Sequence, residues 1–88
     1  MEANELKIGA HTFRIVVAPT WPGRKDEMGL TDRGSNTIYI EEGLPKTQTI
    51  DCFYHELLHA LNAELGEEIV ASLAEQLTQV HLDNDLLR

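Results

Sequence analysis

The run His55-Glu56-Leu57-Leu58-His59 limits the fold more than any other feature of the chain. Only on a helix does a four-residue spacing set two imidazoles on one face, one turn apart. The neighbours Phe53, Tyr54, Leu57, Leu58 and Leu61 are apolar, so the helix that carries the run must be largely buried. Two imidazoles and a carboxylate in such a helix are costly unless something pairs them. The fold therefore needs a buried helix with a partner for three polar groups beside it.

The remaining pattern supplies the other elements. Residues 12–17 are β-branched and aromatic and are stopped by Pro19. They read as the first strand, beginning near Leu6 with a turn at Gly9-Ala10. Pro, Gly and charges mark a loop from Trp21 to Glu27. Residues 28–31 read as a short second strand and residues 32–36 as a hairpin turn. Thr37-Ile38-Tyr39-Ile40 alternates and is the third strand, ended by Gly43-Leu44-Pro45. A first helix, N-capped by Thr47 or Thr49 and with Asp51 near its positive end, is expected to run to about Glu64, with Gly66 just beyond. A second runs from Glu67-Glu68 to about Leu82, with Ile69, Leu73, Leu77 and Val80 as its apolar stripe. The tail from Asp83 carries no strong signal. The expected fold class is α+β: a small, mostly antiparallel sheet of about three strands packed against two helices.

With 88 residues the chain forms one domain with a modest core. Its formal charge of -8, with seven scattered basic residues, argues against a nucleic-acid partner; Arg24-Lys25 is the largest basic cluster. No apolar run approaches the ~20 residues of a membrane span, and the N-terminal residues lack the pattern of a signal peptide. The single cysteine, Cys52, excludes an intrachain disulfide and fits a reducing compartment. A cytoplasmic protein with no membrane partner is expected. Trp21 reads as a hydrophobic plug or an exposed partner-binding anchor. His11 and His81 read as surface or loop histidines, and Cys52 as a small buried apolar residue rather than a ligand.

The motif has a chemical meaning. His55 and His59 can converge on one metal ion, and Glu56 then stands beside its open coordination position. From there it can take a proton from a zinc-activated water and pass it to a leaving amine. Tyr39 and Tyr54 are candidate oxyanion donors, with packing roles the stronger reading.

The stretch His55 to Leu61, with the preceding strand Thr37 to Ile40, resembles the zincin metallopeptidases. Among these it is similar to small phage and bacterial gluzincin-like proteins, including relatives of the ImmA/IrrE group. The likeness covers roughly Gly29 to Val80 and is specific at the HExxH motif. It implies a zinc-binding helix, a sheet edge that holds an extended peptide and a following helix that donates a glutamate ligand. A phage or mobile-element setting is also implied.

A catalytic zinc site takes three protein ligands. The downstream candidates are Glu64, Glu67, Glu68, Glu75, His81, Asp83 and Asp85. If the helices reverse at Gly66 with equal rise per residue, the histidines face residues 72–75, and the backward lean of helical side chains brings Glu75 level. Leu73 and Leu77 then point to the core. The run Leu73-Ala74-Glu75-Gln76-Leu77 is also similar to the glutamate helix of gluzincins, although Gln79 stands where those often have an acid. Glu75 is the favoured ligand, and Glu68 the second choice. The expected protein is a zinc metallopeptidase: His55, His59 and Glu75 bind the metal, Glu56 is the base, and a peptide or protein substrate extends along the edge strand Thr37 to Ile40. A protein partner that completes the cleft fits so small a chain. The alternatives are an inactive zincin-fold interaction module and a structural zinc site, whose fourth ligand would be His81 or Cys52.

Overall fold

The structure, a computed structural model, describes residues 5–20 and 27–84. Trp21, Arg24-Lys25 and Asp85 lie outside these residues. Four strands and two helices follow in the order β1 (Glu5–Ile8), β2 (His11–Ala18), β3 (Gly29–Asp32), β4 (Thr37–Glu41), α1 (Lys46–Leu61) and α2 (Glu67–Asp83). The class is α+β, as expected, with four strands instead of three. The turn at Gly9-Ala10 separates a strand of its own, β1, which at four residues is too short to stand out as a pattern. Gly9 takes φ +59°, the positive value a two-residue hairpin turn wants at its first central position.

The sheet has the order β1-β2-β4-β3. Its outer pairings are antiparallel, whereas β2 and β4 run parallel. The strand expected to form the edge, Thr37 to Ile40, is therefore central, with both sides occupied. Ile38 and Ile40 are fully buried there, each stabilising the fold by about 1.5–3 kcal/mol relative to exposure. The edge beside the helices is β3 instead.

The layers are sheet, α1 and α2. The core of Phe13, Ile15, Ile38, Ile40, Cys52 and Ala60 lies between the sheet and α1, which sits against β3 and β4. A smaller cluster of Leu58, Val70 and Ala74 joins α1 to α2. Helix α1 is thus buried on two sides, by Cys52, Glu56 and Ala60 towards the sheet and by Leu58 towards α2.

Both helix ends differ from the sequence expectation. Helix α1 starts after Pro45, with no side-chain cap, and the Thr49 hydroxyl donates back to the carbonyls of Leu44 and Pro45. Asp51 consequently lies beyond the first turn. The helix ends at Leu61, where Asn62 leaves helical geometry and its side chain accepts from the Glu64 N–H at 2.9 Å. Gly66 becomes the N-cap residue of α2.

The expected apolar stripe of α2 does not face the core. Val70, Ala74 and Thr78 do, and each follows a stripe residue by one position, about 100° around the helix. Small residues on α2 meet the bulkier Leu58 and Tyr54 of α1.

Helix α1 approaches β3 closely at Gly29. A Cβ there would lie 2.6 Å from Cys52 Sγ, 2.8 Å from the Tyr39 main-chain oxygen and 3.1 Å from Glu56 Cγ. Gly29→Ala is therefore expected to destabilise the domain by about 1–3 kcal/mol, measured by denaturant unfolding. Adding Cys52→Ala should restore only part of this loss, because the Tyr39 oxygen belongs to a central strand.

Candidate metal centre

Helix α1 carries His55 and His59 on the arc left between its two buried faces, partly exposed, with ring centroids 5.0 Å apart. Glu67, the first residue of α2, reaches both. Its Oε2 lies 3.1 Å from His55 Nε2 and its Oε1 lies 2.7 Å from His59 Nε2. These are the only three residues among those described whose His, Cys, Asp or Glu donor atoms cluster within 4.8 Å of one another. Two imidazoles and a carboxylate could together hold a divalent transition-metal ion, and the two separations here, made through different oxygens of Glu67, are those of hydrogen bonds.

Glu75, the ligand favoured from sequence, is not brought to the histidines, and neither is Glu68. Glu75 lines a separate cavity with Thr47, Gln48 and Asp51, near the other end of α1. The physical reason is the position of the reversal. Since α1 stops at Leu61, His59 lies in its last turn, and the level of the histidines falls opposite the first turn of α2. Glu67 also shares a helical face with Val70, Ala74 and Thr78, at spacings of three, seven and eleven residues. The rotation that packs this seam on α1 aims Glu67 at the histidines.

Glu56 is buried and faces β3. The Thr31 hydroxyl donates to it, lying 2.8 Å from its Oε1 and 2.8 Å from its main-chain oxygen. Burial raises the Glu56 pKa above the ordinary carboxylate value; the Thr31 hydrogen bond and the neighbouring His55 and His59 oppose that rise, and Glu67 adds to it. Cys52, one turn before Glu56, donates from Sγ to the Met28 carbonyl at 3.3 Å. Burial pushes its thiol up to about 12, helped by Glu56, Asp51 and Glu41. The thiol packs in the core and is not among the donors that cluster with the histidines.

These residues line an open cleft of about 640 Å³ between β3 and α1, with Gly29, Thr31, Arg33 and Ala63 in its wall. Glu41 N donates to the Met28 oxygen at 2.8 Å, and Gly29 is in register with Ile40. Antiparallel pairing alternates, so the main-chain groups of Gly29 and Thr31 point away from β4, along the open edge. Arg33, in the β3–β4 turn, donates from Nη2 to the carbonyls of His59 and Ala60. Its charge suits the C-terminal end of α1 and fastens the hairpin to the motif helix. Neither tyrosine is in the cleft. The Tyr54 hydroxyl is 2.9 Å from His81 Nδ1, and Tyr39 alternates with Ile38 and Ile40 onto the opposite face of the sheet. His11 is exposed on β2.

No family model, curated protein or solved structure matches the chain.

Two outcomes are expected from this electrostatic setting. Cys52 should resist thiol-specific reagents in the folded protein and react on unfolding, as followed by mass spectrometry. For Glu56 the folded-state pKa is raised, so the folded state binds its proton more tightly than the unfolded chain. Its contribution to stability is then fully present below the ordinary carboxylate pKa and is lost as pH rises through the raised value. In chelator-treated protein, Glu56→Gln should therefore be more stable than wild type at about pH 7, and the difference should shrink towards about pH 4, measured by denaturant unfolding.

Proposed function

We propose that this protein is a zinc-dependent metallopeptidase in which His55, His59 and Glu67 hold the metal and Glu56 is the general base. The observation that carries the proposal is the convergence of Glu67, from a second helix, on the two histidines of the motif. No fourth protein ligand joins them among the described residues, and this favours an open catalytic position over a closed structural site. What a zinc ion supplies in such a site is a lowered water pKa, towards ~7, and polarisation of a substrate carbonyl.

The chain's own residues take the other tasks. An extended peptide pairs with the outward main-chain groups of Gly29 and Thr31, as a strand added to the edge of β3. Thr31 holds one oxygen of the Glu56 carboxylate, which leaves the other to accept a proton from the attacking water. Glu56 then delivers that proton to the departing amine. A carboxylate whose pKa is raised by burial is a stronger base than one in water and suits this transfer. Arg33 and Gly29 keep α1 and β3 at a fixed separation, so that the edge and the base stay in register.

Elemental analysis after refolding with zinc should find one zinc per chain. His59→Ala and Glu67→Ala should lose it and Glu75→Ala should retain it. Glu56→Gln should keep the metal while hydrolysis of an unstructured protein such as casein falls by at least about 100-fold. A wild-type chain that takes up no zinc would sink the proposal.

A further inference from the structure

The rotation that turns Glu67 towards α1 leaves four large apolar side chains of α2 in water. Ile69 is 54% exposed, Leu73 39%, Leu77 38% and Val80 48%. They form one row along the helix, at spacings of four, four and three residues. Nothing in the sheet or α1 covers this row, because α2 is the outermost layer and packs on α1 through Val70, Ala74 and Thr78.

We propose that the row is a self-association face, on which α2 packs antiparallel to the α2 of a second copy of this chain. The spacing reads nearly the same in both directions. A two-fold axis midway between Leu73 and Leu77 sets Leu73 of each copy against Leu77 of the other, and Ile69 against Val80, as an isologous contact requires. The arc is also uncharged. From Ile69 to Val80 its polar border is Ser72 and Gln76, and the Gln76 amide turns back onto the Ser72 main-chain oxygen at 3.2 Å and its hydroxyl at 3.1 Å. Glu68 and Glu75 project from the far side of the helix. For a chain of formal charge -8, this is a surface on which two copies meet with little direct repulsion.

The size of the face bounds the kind of contact it can make. The four side chains leave roughly 300 Å² of apolar surface in water, which with a polar rim corresponds to about 500 Å² per copy, or about 1,000 Å² in all. That is the lower limit for a specific interface and too little for an obligate one. A weak, reversible dimer is expected.

Sedimentation equilibrium from about 1 μM to 1 mM at about 0.15 M salt tests the proposal. A monomer–dimer equilibrium is expected, and it should weaken at about 0.01 M salt, where the charges of the two copies are poorly screened. Leu73→Gln with Leu77→Gln should weaken association at least about 10-fold with circular dichroism unchanged, and Gln76→Leu should tighten it. A chain monomeric across the whole range would overturn the proposal and leave the row to a different protein. A dimer insensitive to all three substitutions would overturn it too, because another face would then be responsible. None of these readouts depends on metal or peptidase activity.

Discussion

Helix α1 is held between two layers, and the rest of the structure is arranged around that double burial. One face meets the sheet through Cys52, Glu56 and Ala60, the other meets α2 through Leu58. Such a helix keeps an arc between the two faces, and in this chain it carries His55 and His59. The layer on each side then supplies a partner for a polar group that would be costly alone. Strand β3 offers the Thr31 hydroxyl to Glu56, and α2 offers the Glu67 carboxylate to the histidines.

The approach at Gly29 fixes this arrangement where the proposed chemistry would need it. With no Cβ at that position, the helix lies directly against the strand, and Glu56 sits within reach of Thr31. Arg33 adds a second fixing point at the helix C-terminus. The proposed base, the open strand edge and one end of the motif helix thus belong to a single packed unit, so that their relative geometry does not depend on a flexible loop.

Much of this was legible from residues alone, because the signals were local. The four-residue histidine spacing and its apolar neighbours identify α1, and the alternation at Thr37-Ile38-Tyr39-Ile40 identifies β4. What was not legible depended on tertiary context. Periodicity shows that Ile69, Leu73, Leu77 and Val80 share a face, but not which face α2 turns inward. That choice follows from the fit of small residues against Leu58 and Tyr54, and the small row Val70, Ala74 and Thr78 was its only sequence trace. The error at Glu75 came from the same source, compounded by a helix end placed at about Glu64 and not at Leu61. Thr31 left no motif at all, since a single hydroxyl on a short strand acquires meaning only when a buried carboxylate lies across from it. The edge strand was misassigned because alternation marks a strand without telling whether it has one neighbour or two.

Helix α2 is the outer layer, buried only at Val70, Ala74 and Thr78, and it carries the acid that completes the proposed ligand set. Helix α1 brings its two imidazoles from within the packed unit, while the third donor arrives on the outer helix, which packs chiefly on α1. Coordination by all three would thus act as a clasp between the outer helix and the body of the domain. Ion affinity and the docking of α2 would then be two readings of one equilibrium, because whatever loosens the seam at Val70 would also withdraw Glu67 from the histidines.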